Sequence, residues 1–409
     1  MPTDGQATSA RGMHPAAARR ILRLALGTSL CLAFSQVVNW PLSFVAPVLT
    51  MFILALPLPP PGLRKGIVFV LALLAPTVLG AYVLLPFLTH MRGVGILLVG
   101  LGLFFTFYYT ARGGQPILGT FMTMGLTLVT TIGSVSSELL MLLVQSLGVC
   151  AAVGIVFVWI AHALLPDPPP DPSLAGIQKP AAPPPDPSTA GWRALRSLAI
   201  VFPVALAFLF MSGSPSYTVV MIKVATMGQQ ATADHSRAMG RSLLESTFWG
   251  GIGAIIAWQV LAIWPSLLMY VLLVGLAALI YGRWIFQGPA VHPNFQMVSF
   301  AYLTMLVILG PAVLDGAGSS GAGGAFWTRL GLFVLIAVYG TVSVWVFDSL
   351  WPERKAMPGT VETAQSPFAV ARAEGDARNR RNRTITLTGK PAANAKRPSR
   401  LKPLPQRKP

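Results

Sequence analysis

Charged residues make up only 11% of this 409-residue chain, and only 13 residues are acidic. Soluble globular chains carry roughly a quarter charged residues, so water is not the solvent for most of this sequence. Cysteine is rarer still. Cys31 and Cys150 both lie inside apolar runs, with no second thiol or histidine at metal-ligand spacing, and read as small buried hydrophobes. His90, His162, His235 and His292 are scattered through loops and run ends, which leaves no His, Asp or Ser constellation for an intramembrane enzyme. A phosphate loop is also missing. The glycine-rich stretch Asp315 to Gly324 has no Lys-Ser or Lys-Thr after it, so ATP binding is rejected. No metal, no cofactor and no enzymatic activity are expected.

Hydrophobic length is what the sequence has in abundance. Apolar residues make up 54% of the chain and the mean hydropathy is +0.63. A helix rising about 1.5 Å per residue needs about twenty apolar residues to cross a bilayer core of about 30 Å. Runs of that length predict spans near 21–40, 41–58, 66–88, 93–111, 116–135 and 138–165. A second set is predicted near 194–212, 215–233, 243–264, 266–286, 294–314 and 326–350, with the second and eighth spans the least clearly marked. The expected fold is an all-α integral membrane protein of about twelve helices. Residues 1 to 20 are polar, and Arg19 and Arg20 precede the first run without a small-residue cleavage site, so that run is expected to stay as an anchor rather than be removed as a signal peptide.

A formal charge of +17 raises the question of nucleic acid, but the basic residues sit in short loops and a terminal tail rather than on a folded face. Nucleic acid is therefore not an expected partner. Arg11, Arg19, Arg20, Arg64, Lys65, Arg112, Lys179, Arg193, Arg237, Arg241, Arg283, Arg354 and Lys355 fall on one side of the predicted topology, with Arg92 and Arg329 as exceptions. By the positive-inside rule that side is cytoplasmic, which puts both termini in the cytoplasm.

The two halves align with each other. Trp40-Pro41 answers Ser214-Pro215, Val99-Gly100-Leu101 matches Val274-Gly275-Leu276, Gln115-Pro116 falls near His292-Pro293, and Leu165-Pro166-Asp167 matches Trp351-Pro352-Glu353. An even number of crossings per unit gives two parallel six-helix repeats around an axis along the membrane normal, with substrate expected between them. The organisation read from this is a polar segment at 1–18, a first membrane unit at 19–165, a linker at 166–191, a second membrane unit at 192–351 and a tail at 352–409. The linker is proline-rich and expected to be an extended cytoplasmic spacer. The tail is basic and lacks apolar periodicity, so disorder and contact with anionic lipid are expected.

Charged groups inside a bilayer cost a few kcal/mol each, so those within spans are candidates for a transport path. Lys223 lies near the middle of the eighth span, where its ammonium could neutralise an organic carboxylate. Glu245, four residues after Arg241, either pairs with it over one helical turn or exchanges protons, with Lys223 as a partner. Thr120, Thr123, Thr127 and Thr130 step along one face of the fifth span, either as backbone-bonded packing residues or as a polar lining for substrate. The aromatic groups Phe104 to Tyr109 and Tyr281 to Phe286 end the fourth and tenth spans and read as interfacial belts, with an aromatic-substrate vestibule as the alternative. His162 and Asp348 fall at matching ends of the sixth and twelfth spans.

The basic start into Arg23-Leu24-Ala25-Leu26-Gly27, the Trp40-Pro41 pair, Phe44-Val45-Ala46-Pro47-Val48-Leu49 and the Leu-Pro-Asp exit at 165–167 together resemble the fusaric acid resistance protein-like superfamily. That superfamily includes aromatic acid exporters and a branch named only as a domain of unknown function. The resemblance implies a bacterial inner-membrane secondary transporter that exports small organic acids, aromatic ones among them, or toxic compounds, with a periplasmic membrane-fusion adaptor as partner. The larger members carry a sizeable cytoplasmic domain after each six-span unit. Here only the linker and tail occupy those places. The alternative is a non-transporting membrane scaffold that assembles partners through its linker and tail.

Overall fold

In the computed structural model the described residues are 15–56, 58–133, 137–166, 187–210, 215–233, 238–287, 290–292, 294–316 and 322–350. All of them belong to the compact unit Met1–Trp351. The N-terminal segment up to residue 14, most of the proline-rich linker and the whole basic tail lie outside the described residues.

The first half contains α1 (Pro15–Val38), α2 (Val45–Leu54), α3 (Leu63–Leu79), α5 (Arg92–Ala111), α6 (Pro116–Gly133) and α7 (Ser137–Leu164). α3 runs on through a π-helical turn, Gly80–Leu84, into the short α4 (Leu85–His90). The second half contains α8 (Pro187–Phe210), α9 (Pro215–Ala233), α10 (Ala238–Ile263), α11 (Leu267–Ile285), α12 (Phe295–Leu314) and α13 (Ala322–Leu350). Between α11 and α12 two short antiparallel strands, β1 (Phe286–Gln287) and β2 (Ala290–Val291), pair Phe286 with Val291. The helices begin where the sequence permits. Proline opens α1, α6, α8 and α9, a position whose amide has no intrahelical partner in any case. Ser266 caps α11 by accepting from the Met269 amide at 3.2 Å.

Among the described residues nine helices are long and apolar enough to cross a membrane. α2 falls short by its length, and the reason lies in the packing. α2 has ten residues, about 15 Å of helix, and all but Phe52 are buried. Residues 220–229 of α9 are all buried, as are 301–312 of α12. α2 and these stretches face protein on every side, and lipid places no demand on the length of α2. Large apolar residues on the peripheral helices, such as Leu97, Leu268 and Leu335, are exposed in the way a hydrocarbon solvent allows.

The same helix pairings recur in both halves. α3 packs on α6 and α7 in the first, and α10 packs on α12 and α13 in the second. Likewise α2 contacts α1 and α7, as α9 contacts α8 and α13. Between the halves α1 meets α11 while α5 meets α8, and α6 meets α9 while α2 meets α12. Gly100 on α5 faces the Phe202 ring of α8, and Gly275 on α11 faces Ser29 of α1.

The Trp40-Pro41 turn is tightly wound. Asn39 and Leu42 have positive φ, 52° and 58°, a strained conformation for a leucine. Cys150 of α7 holds it, because the Trp40 indole donates to Cys150 Sγ at 3.1 Å and the thiol donates to the Leu42 carbonyl at 3.4 Å. Both cysteines are buried, but neither is a mere apolar filler: Cys31 Sγ accepts from the Thr50 hydroxyl at 3.3 Å.

The aromatic belt needs correction. Phe105 and Trp284 are exposed, whereas Phe107, Tyr281 and Phe286 are buried. Phe107 lies where any side chain on Gly228 of α9 would go, and Tyr281 stacks on Tyr302 at 5.6 Å. These rings are helix-packing residues. Arg329, an exception to the charge asymmetry, is buried and pairs with Asp315 at 2.5 Å, so its charge is balanced locally.

Candidate functional site

α9 carries Lys223, Thr226 and Gln229 three residues apart, so its polar groups wind slowly around one side of the helix. Lys223 is 2% exposed. Its ammonium donates to Thr304 Oγ1 of α12 at 2.9 Å, and that hydroxyl donates in turn to the Phe300 carbonyl at 2.8 Å. Among the described residues no carboxylate lies within ion-pair distance of Lys223. An ammonium has three donors, and one is used here, which leaves two for an anion.

Gln229 lies about 9 Å further along α9 and faces the first half. Its side-chain amide donates to Thr123 Oγ1 of α6 at 2.7 Å, and its carbonyl accepts from Thr110 Oγ1 of α5 at 2.9 Å. Thr123 Oγ1 also lies 3.2 Å from Thr106 Oγ1. The result is a buried, uncharged hydrogen-bonded cluster of three threonines and one glutamine where α5, α6 and α9 meet. Gly119 makes room for it, since a β-carbon there would collide with the Thr110 hydroxyl and approach the Gln229 amide.

Thr120, Thr123, Thr127 and Thr130 are all buried. Each bonds to its own helix: Thr120 to the Pro116 carbonyl, Thr123 to Gly119, Thr127 to Thr123 and Thr130 to Thr127. Thr123 is the member of this face whose described bonds reach other helices. Glu245 stands apart from Lys223 in its bonding. It accepts from Arg241 Nε over one turn, and Arg241 is largely exposed. His162 is buried and bonds to the Val158 carbonyl at 2.8 Å, while the Asp348 side chain lies outside the described residues.

Gln229, Thr304, Thr106 and Thr110 were not singled out from sequence. Gln229 falls inside the span predicted at 215–233, but at its polar end, where the stretch Gly228 to Arg241 reads as a connector. The structure ends α9 at Ala233, as that span does, and buries Gln229 within it. Among the described residues no group of three or more His, Cys, Asp or Glu side chains is placed to hold a metal ion.

These features define a multi-pass helical membrane protein. Residues 20–161, within the first six-helix half, match the family described as Protein of unknown function (DUF2955), a family of membrane proteins. No curated protein and no solved structure matches the chain.

Proposed function

We propose that this chain is a secondary transporter of the bacterial inner membrane that exports small organic acids, aromatic ones among them, or related toxic compounds. In this reading the two six-helix halves are repeats that rearrange against one another, both termini are cytoplasmic, and a periplasmic membrane-fusion adaptor continues the route. The observation that carries it is the position of α9. Buried throughout residues 220–229, α9 brings the Gln229 amide to the first half and carries the Lys223 ammonium six residues away, against Thr304 of α12. Intramembrane ionisable groups are costly and mark substrate or ion pathways. The recurrence of helix pairings in the two halves supports an alternating mechanism. Neutral hydroxyls and an amide suit the polar edge of an organic acid, and Lys223 suits its carboxylate.

The test is uptake of labelled aromatic carboxylates into inverted vesicles, with and without an imposed proton gradient. Gradient-dependent uptake by the native chain that Lys223→Ala abolishes supports export and the anion site together. Absence of uptake with folding confirmed shifts the reading to another substrate or to a scaffold, whose phenotype deletion of residues 356–409 should remove.

A further inference from the structure

An apolar groove of about 830 Å³ opens between α3, the π-helical turn, α5 and α6. Its rim is made of residues exposed on the outside of the bundle, including Leu71, Leu79, Tyr82 and Phe105. Small residues, Ala72, Ala75, Gly80 and Gly102, are part of its lining. The helix geometry opens it further. Pro76 removes one backbone donor within α3, and the π-helical turn Gly80–Leu84 follows directly. In the second half the corresponding space between α10 and α11 is bridged: Tyr281 donates to the Trp249 carbonyl at 2.8 Å, and Trp249 packs on Trp284.

The groove's chemistry limits its occupant. No charged side chain lines it. Tyr82 stands at the exposed rim, and the one buried polar side chain is Thr106. Its hydroxyl donates to the Leu103 carbonyl at 2.8 Å and lies 3.2 Å from Thr123 Oγ1, in the cluster that runs on to Gln229, so what it offers an occupant is a lone pair for an O–H donor. A path therefore leads from the hydrocarbon side of the bundle, over apolar walls, to the first hydroxyl of the polar site between the halves.

We propose that this groove is a lateral binding site for a lipid-soluble amphiphile whose apolar body lies along α3 and α5 and whose uncharged hydrogen-bonding group, a phenol or a protonated carboxylic acid, reaches Thr106. A permanently charged head is excluded because nothing in the groove compensates it. The hydrocarbon around the rim supplies the apolar body without a dehydration cost, so selectivity rests on the hydrogen bond at Thr106. As an entry to the transport path the groove rests on the exporter reading above; as a binding site it does not.

The probe is an alkyl phenol with a diazirine on its chain, photolysed in proteoliposomes containing the full chain, with labelled residues mapped by mass spectrometry. Labelling at Leu98 and Met122 should exceed labelling on the exposed α11 face, Leu268, Leu272 and Leu276, by roughly tenfold. Ala75→Trp, a change at an exposed position that fills the groove, should erase that excess, and Thr106→Val should lower it roughly three- to tenfold. Val83→Trp gives an independent block. A quaternary ammonium on the same chain should show no excess. Equal labelling of both faces, or an excess unchanged by Ala75→Trp and Val83→Trp, overturns the site and leaves ordinary lipid contact. Uptake of the same phenol separates the two ideas. Groove labelling without transport keeps the site and removes the exporter reading for this substrate class, whereas transport undiminished by Ala75→Trp removes the entry role.

Discussion

The Gln229 side-chain amide donates to Thr123 Oγ1 at 2.7 Å, and this bond joins the second half of the chain to the threonine face of the first. It is backed on the other side by Thr110, whose hydroxyl donates to the Gln229 carbonyl. A glutamine fixed at both ends is a positioned group, and its loss separates stability from function.

Gln229→Leu is expected to cost little stability. Thr123 and Thr110 keep backbone acceptors at Gly119 and Thr106, so neither hydroxyl is stranded. Interhelical side-chain bonds in membranes average about 0.6 kcal/mol and reach about 1.7 kcal/mol. Thermal unfolding in detergent should therefore shift by a few degrees at most, while transport in vesicles falls at least tenfold. A large fall in thermal stability with full transport would assign Gln229 to packing alone.

Gly119→Ala acts on the same cluster by intrusion. The added methyl meets the Thr110 hydroxyl and approaches Gln229, so the two must separate or α6 must shift. Overpacking of a tight interface costs typically 1–3 kcal/mol. The expected result is a larger loss of thermal stability than Gln229→Leu produces, and the double variant should be less destabilised than the sum of the two because the Thr110 hydroxyl, no longer bonded to Gln229, can turn away from the methyl.

Lys223→Met is expected to leave stability unchanged or raise it. The ammonium is buried with a single hydroxyl partner, and replacing a buried charge by a well-packed apolar side chain is often neutral or stabilising. Transport of anions should nevertheless be lost. Lys223→Met with transport intact would show that the ammonium has no part in it, and Thr304→Val should weaken transport less, since it removes only the group that orients the ammonium.

Much of this arrangement was legible in the sequence, and the failures have physical causes. Peripheral spans announce themselves because lipid demands long apolar runs. α2 is too short to announce itself because protein surrounds it, and burial along residues 220–229 makes α9 the helix of interest. The threonine face of α6 follows from spacing alone, and so does the Arg241–Glu245 pair. Partners separated far along the chain do not. Thr304 lies 81 residues from Lys223 and Gln229 lies 106 from Thr123, so only the packing of helices from different parts of the chain could reveal them. Gln229 was obscured further by its neighbours, which are as polar as a loop.

The Arg329–Asp315 pair yields a prediction of unequal effects. Arg329 is 4% exposed and Asp315 retains contact with its surroundings at 39% of its side-chain area. Breaking the pair from the arginine side, with Arg329→Leu, leaves a carboxylate that can hydrate. Breaking it with Asp315→Asn leaves a guanidinium that is buried and has lost its counter-charge, the more expensive of the two situations. Asp315→Asn should lower thermal stability by the equivalent of about 1–3 kcal/mol and Arg329→Leu by less, with the double variant recovering part of the loss. The reverse order would mean that the buried arginine stem matters more than its charge. In that case Arg329→Met, which keeps the stem, should restore stability where Arg329→Leu does not.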